Sequence, residues 1–243
     1  MTLAGKIALV TGGSRGIGRA ICLALADRGA TVAFCHLNDP EAAGTLAQIN
    51  TRTRGMAQSA DVADEAAMEG FFAAVQATFG APDILVNNAG ILTESPLANT
   101  QVADFDRVMA VNLRGGFLAS RAFVRRTAQG RIINIASDLG ILGRENMLAY
   151  TASKGAIIAM TRTLARELAP GILVNAIAPG STETDMTSPA NMSAEAIAKD
   201  LDTPLARFGR PEEIAAMAAY LAGPDSAFIT GQCFGVNGGS VMH

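Results

Sequence analysis

Short, wholly apolar runs recur along the chain, each followed by a segment in which apolar residues return every three or four positions. Residues 6–10 form the first run. After it, Ile21, Leu23, Leu25 and Ala26 mark the inner face of a helix expected over 19–28. The same reading predicts strands at 31–35, 55–60, 83–86, 131–136, 171–177 and 228–236. It predicts helices at 40–52, 64–79, 101–127, 150–168 and 211–221. Gly115-Gly116, inside the long helical region, predicts a close packing neighbour or a local irregularity. Runs such as Ile-Ala-Leu-Val and Ile-Leu-Val lack polar alternation, so both faces of these strands should be buried.

Strands alternating with helices predict one seven-stranded parallel sheet covered on both faces, a doubly wound α/β fold of the Rossmann type. No linker, repeat or low-complexity tract divides residues 1–243, which read as a single domain. Residues 181–210 break the rhythm. They carry only a short helical piece at 194–201, with Ser188-Pro189 and Asp202-Thr203-Pro204 interrupting. A connection this long inside a compact domain is usually functional or disordered, and a lid over the substrate is expected.

Composition narrows the class. With 49% hydrophobic and 17% charged residues, the chain has enough apolar surface for a large core. A net charge of -3, with no basic cluster longer than Arg125-Arg126, argues against nucleic acid as a partner. No apolar run reaches the ~18 residues of a membrane span, and no cationic, apolar leader opens the chain. A cytoplasmic protein is expected. Cys22, Cys35 and Cys233 are odd in number and widely spaced, so neither a disulfide framework nor a zinc site is indicated. His36 and His243 alone cannot supply a metal site or a Ser-His triad.

The chemistry gathers where strands end. Thr11-Gly12-Gly13-Ser14-Arg15-Gly16-Ile17-Gly18 lies between the first strand and the first helix. There, glycines allow a tight turn and the helix N-terminus offers free N–H groups to a phosphate. At the end of the second strand stand His36-Leu37-Asn38, with no carboxylate before Asp39. A ribose 2′-phosphate would meet Arg15, His36 and Asn38, which favours NADP(H) while leaving NAD(H) open. Thr11, Asp61, Asn87, Ser137 and Pro179 all fall at expected strand ends, where ligands of such sheets bind. Tyr150 and Lys154 lie one helical turn apart, and a neighbouring ammonium lowers a phenol's pKa. Such a pair can move a proton at a substrate oxygen.

Taken together, these motifs resemble the short-chain dehydrogenase/reductase family over essentially the whole chain. The resemblance is carried by the glycine loop, Asp61-Val62, Asn87-Asn88-Ala89-Gly90, Asn112, Ser137, Tyr150-x-x-x-Lys154 and Pro179-Gly180. Residues 131–135, 183–186 and 236–239 are most similar to its 3-oxoacyl-[acyl-carrier-protein] reductase branch. The resemblance implies that Gly12, Ser14, Arg15, Gly16, Ile17 and Gly18 shape the cofactor loop. It also implies that Asp61 and Val62 meet the adenine, Asn88 supports the central strand, and Ala89 and Gly90 pass close to the adenosine half. Pro179, Gly180, Thr182 and Thr184 would line the nicotinamide end, with Thr184 holding the carboxamide.

For catalysis, the resemblance implies Tyr150 as acid–base and Ser137 as donor to the carbonyl oxygen. Lys154 would hold the ribose and lower the phenol, and Asn112 would hold a relay water, with service to buried backbone groups as its lesser alternative. The implied partners are a small carbonyl or alcohol, either a 3-oxoacyl thioester or a sugar, polyol or other secondary alcohol. Carrier-protein docking would fall to Arg125, Arg126 and Arg131, because the turn at 167–171 is short and neutral where the branch has a basic one. A homotetramer is also implied, through helices 101–127 and 150–169 with Gly115, Gly116, Ala156 and Ala159 at the contact. An idle nucleotide sensor is the remaining class, against which Ser137, Tyr150 and Lys154 stand intact.

Overall fold

Seven parallel strands form one sheet in the order β3-β2-β1-β4-β5-β6-β7 in the computed structural model, which describes residues 2–188, 190 and 192–242. Pro189 and His243, both used in the sequence reading, lie outside the described residues. The strands are β1 Ile7–Thr11, β2 Thr31–His36, β3 Gly55–Ser59, β4 Ile84–Asn87, β5 Gly130–Ile135, β6 Ile172–Pro179 and β7 Cys233–Val236. Strand order reverses between β1 and β4, which opens a crevice at their carboxyl ends.

The continuous apolar runs are explained by two cores. Ala8, Val10, Val32, Phe34, Ile84 and Val86 pack on one side, with helices α1 (Gly16–Ala26), α2 (Ala42–Asn50) and α9 (Pro211–Ala222). Leu9, Ala33, Cys35, Leu85 and Ile132 face the other side, with α3 (Glu65–Phe79), α5 (Gly115–Val124) and α7 (Leu148–Leu168). Adjacent residues of one strand thus serve opposite cores. Phe34, Phe71, Phe72 and Phe123 are wholly buried, each contributing about 2–3 kcal/mol. On α1, Cys22 takes a buried position, whereas Leu23, expected inside, is only half-buried.

Local chemistry sets several ends. The Asp64 carboxylate accepts from Ala67 N at 2.8 Å and starts α3. Glu213 accepts from Arg210 N at 2.8 Å, and Pro211 sits at the first position of α9. The region expected as one helix over 101–127 is α4 (Val102–Met109), a π-turn at Ala110–Arg114, and α5. The irregularity is real and is centred on Asn112.

The last strand is shorter than expected, beginning at Cys233 rather than 228. The Asn175 side chain is the cause. Its Nδ2 donates to Ile229 O at 2.9 Å and its Oδ1 accepts from Gln232 N at 3.1 Å, folding 228–232 into a turn with Gly231 at φ +74°.

Two further helices border the carboxyl end of the sheet, α6 (Leu139–Leu142) and α8 (Ala194–Leu201). The stretch carrying α8 is closed at its base by a bridge between Thr182 and Gly209, and Gly209 N donates to Ser181 O at 2.9 Å. No helix among the described residues is long and apolar enough to cross a membrane.

Candidate active site

The glycine loop turns from β1 into α1 with Gly12 at φ +66° and Gly16 at φ +53°, a region that L side chains avoid. A Cβ on Gly12 would stand 3.0 Å from Ala89 Cα, and one on Gly18 would collide with the Gly12 carbonyl oxygen. The loop is therefore as narrow as glycine allows. It is tied to the Asn87–Gly90 segment by Asn88 Nδ2, which donates to Thr11 O at 3.0 Å and Gly12 O at 2.9 Å. Thr11 Oγ1 accepts from Asn88 N and Ala89 N, an anchoring role that its strand-end position alone did not reveal.

Next to the loop the structure corrects an expectation. Asn38 takes a left-handed conformation, φ +49°, with its Oδ1 accepting from Ser59 Oγ at 3.0 Å, and this turns Asp39 back toward the glycines. Asp39 Oδ2 accepts from Ser14 Oγ at 2.8 Å and lies 3.4 Å from Arg15 Nε. Arg15 also approaches Asp185 at 3.6 Å. His36 Nδ1 accepts from Asp39 N at 3.2 Å, so the ring braces the turn. Burial of Asp39 favours its neutral form. Hydrogen bonds from Glu41 N and Ser14, with the charge of Arg15, outweigh this and hold the carboxyl below its ordinary value. A carboxylate therefore does stand beside Arg15.

On the other side of the crevice, Asp61 Oδ1 accepts from Ala63 N at 2.8 Å, and Val62 is buried against Gly115. A Cβ on Gly115 would stand 2.9 Å from Val62 Cγ2, and one on Gly116 would lie 3.5 Å from Met160 Cε. Gly115, expected at a contact between copies, instead packs within the protomer. Asn112 Oδ1 accepts from Ile91 N at 2.8 Å, while its Nδ2 donates to Ile91 O at 2.9 Å and Ser153 Oγ at 3.0 Å. Its amide clamps the chain beyond Gly90.

Tyr150 and Lys154 occupy successive turns of α7, with Lys154 Nζ 5.6 Å from the centre of the phenol ring. Nζ donates to Ile135 O at 2.8 Å, and burial pulls the ammonium down to about 8. The Tyr150 phenol is pushed up to about 12, mainly by burial. The Ser137 hydroxyl opposes this, and the Asp138 carboxylate adds to it. The expected lowering of the phenol by Lys154 is therefore reversed, because the ammonium faces a carbonyl and burial dominates.

Ser137 Oγ donates to Asp138 Oδ1 at 3.2 Å and accepts from Leu139 N at 3.2 Å. Pro179 ends β6, Gly180 packs against Asn237, and the buried Thr182 Oγ1 donates to Gly180 O at 2.9 Å. Thr184 sits over Gly16, its Cγ2 3.4 Å from where a Cβ would be.

Between α6, the 181–210 stretch and the C-terminal segment lies a cavity of about 580 Å³. Its walls carry Asp138, Leu142, Arg144, Asp200, Leu205 and Ser240 among others. Arg144 pairs with the buried Asp200, and Lys199 pairs with Glu145 at the exposed rim. Asp138 and Ser240 escaped the sequence reading. Asp138 was legible as the neighbour of Ser137, but Ser240 lies 102 residues beyond its partner, with no local signal.

The family profile described as enoyl-(acyl carrier protein) reductase matches residues 12–241. The 3-oxoacyl-[acyl-carrier-protein] reductase of Vibrio cholerae is 40% identical over 246 residues, covering 100% of both chains. The chain belongs to the short-chain dehydrogenase/reductase family.

Among solved structures, a dehydrogenase/reductase from Sinorhizobium meliloti 1021 superposes with a TM-score of 0.95 at 43% identity, covering 99% of this chain and 97% of that one. A short-chain dehydrogenase from Burkholderia cenocepacia in complex with NADP gives 0.94 at 40%, covering 98% and 99%. The doubly wound seven-stranded fold is thus shared, and the chain is an oxidoreductase acting on CH–OH and C=O groups. Of the arginines expected to dock a carrier protein, Arg125 and Arg126 pair with Glu69 at 3.3 and 2.8 Å, and Arg131 is half-buried.

Proposed function

We propose that the protein is an NADP(H)-dependent carbonyl reductase whose substrates are 3-oxoacyl thioesters. The observation that carries this is the placement of Ser137, Tyr150 and Lys154 on neighbouring elements at the carboxyl edge of the sheet, with Asp138, the residue after Ser137, lining the 580 Å³ cavity. The full-length similarity to 3-oxoacyl-[acyl-carrier-protein] reductases supports the substrate class. The glycine loop fits a dinucleotide, because Gly12 and Gly18 leave no room for a side chain against Ala89, Asn88 and the Gly12 carbonyl, and the tight turn they allow leads into the N-terminus of α1, whose backbone N–H groups suit phosphates. Bound there, NADPH supplies a hydride to the carbonyl carbon.

The chain's own residues do the rest. Ser137 donates to the oxygen on which negative charge develops, and Tyr150 delivers the proton. Lys154, held by Ile135 O, orients the ribose and lies next in line to return a proton to the phenol. Asn112 holds the segment after Gly90, so that the backbone passing Lys154 keeps its place. Arg15 meets the 2′-phosphate with Asp39 tempering its charge, which leaves NAD(H) a weaker second cofactor. The 181–210 stretch covers the substrate, latched by Arg144–Asp200. The protein works in the cytoplasm as a homotetramer, with the exposed Phe117 and Leu148 at contacts between copies.

NADPH consumption across a panel of carbonyl compounds tests this reading. Fastest turnover of a 3-oxoacyl thioester is expected, with carrier-bound and free thioesters compared. No turnover of any 3-oxoacyl thioester overturns it. The second reading, a sugar, polyol or other small alcohol, is favoured by one observation: Asp138, Arg144, Asp200, Asp202 and Arg207 line the cavity and suit hydroxyl groups better than an acyl chain.

A further inference from the structure

We propose that Asp138 is a positioning residue that aims the Ser137 hydroxyl, and that Ser240 in the C-terminal segment holds Asp138 in place. The inference rests on Ser137 being the donor to the reacting oxygen. Asp138 is only 6% exposed, and its two carboxyl oxygens have separate duties. Oδ1 accepts from Ser137 Oγ at 3.2 Å, and Oδ2 accepts from Ser240 Oγ at 2.6 Å. Its backbone N donates to Pro179 O at 3.1 Å, which pins it to the end of β6.

A serine hydroxyl has one proton. Directed at an ionised Asp138, that proton is withheld from a substrate oxygen. With Asp138 protonated on Oδ1 the order reverses. The acid donates to Ser137 Oγ, which already accepts from Leu139 N, and the serine proton is free to turn to a substrate oxygen. The charged and titratable groups around Asp138 are Tyr150 from α7, Asp200 from α8 and, paired with Asp200, Arg144 from the turn before α7. Burial raises the Asp138 carboxyl above its ordinary value. Hydrogen bonds from Ser240, Ser137 and the Leu139 backbone oppose this, and the Asp200 charge reinforces it. Reduction needs a donor where the oxyanion forms, so it runs on the protonated form. Ionisation removes that donor and adds negative charge beside the phenol.

The experiment measures kcat and KM for reduction against pH in wild type, Asp138→Asn and Ser240→Ala, using whichever carbonyl the wild type reduces fastest. Wild-type kcat is expected to fall as pH rises through a limb above the ordinary carboxylate range. In Asp138→Asn, whose amide donates to Ser137 at every pH, that limb disappears and KM is unchanged. Ser240→Ala removes a bond that favours the carboxylate, so the limb moves to higher pH. A limb that persists unmoved in Asp138→Asn, or variants that change melting temperature alone, overturns the proposal. Failure of 3-oxoacyl thioesters overturns the substrate reading and leaves this test running on another carbonyl.

A readout free of turnover is also at hand, because the chain has two tyrosines and no tryptophan. In a Tyr220→Phe background, tyrosinate absorption reports Tyr150 alone. Asp138→Asn should lower that titration, and adding Ser137→Ala should raise it again. An unchanged titration overturns the proposal even if no carbonyl is turned over.

Discussion

Around the glycine loop the chain is held by steric necessity, whereas around the cavity it is held by charge. Gly12 and Gly18 sit where a single methyl group meets backbone, and the apolar strands beneath them alternate between two cores. The cavity is closed instead by Arg144–Asp200, Lys199–Glu145 and the Asp138–Ser240 contact, each joining segments distant in sequence. A packed backbone tolerates almost no change, while a wall of polar pairs can be re-paired without disturbing the sheet. This difference lets one scaffold keep its cofactor and vary its substrate.

The largest expected effect ends the chemistry that joins the two regions. Tyr150→Phe should lower reduction by about 10²–10⁴-fold while NADPH binding, read by fluorescence titration, stays intact. Comparable turnover in that variant would end the acid–base assignment.

Next comes the charged wall. Arg144→Ala leaves Asp200 buried without its partner, which costs about 3 kcal/mol by thermal or denaturant unfolding. It should raise KM for the carbonyl without weakening NADPH binding. Lys199→Ala, at the exposed rim, should do neither, and equal effects from both would erase the distinction between latch and rim.

On the steric side, Gly18→Ala should cost about 1–3 kcal/mol of stability through overpacking. NADPH should lose its stabilising effect in melting experiments; an alanine accepted with full NADPH affinity would sink the steric account. The smallest effect lies where charge enters the glycine-loop region. Asp39→Asn should shift preference toward NADPH over NADH by about fivefold, the order of one partly screened charge, and Arg15→Ala should shift it the other way. No change in the ratio of kcat/KM values would show that neither residue reads the 2′-phosphate.

The two regions also differed in how far the sequence disclosed them. The strands of both cores, the glycine loop and the Tyr150–Lys154 face were legible, because period, turn residues and one-turn spacing are local properties. Asp39 was misjudged, since its position depends on the left-handed turn at Asn38. The start of β7 was misplaced because Asn175, some fifty residues earlier, holds 228–232 in a turn instead of a strand. Gly115 was placed at an interface because it is small and lies on a helix that the resemblance puts there, while Val62 fills the space beside it.

Local pattern determined the order of strands and helices, the place where a dinucleotide could lie and the helix face that carries Tyr150 and Lys154. Tertiary structure alone decided that burial drives the phenol up and the ammonium down, and that Lys154 turns to Ile135. It also brought Ser240 across 102 residues to steady Asp138 beside Ser137. Propensity and periodicity act between near neighbours. Burial and electrostatics depend on whatever folding brings within a few ångströms, and no spacing along the chain records that.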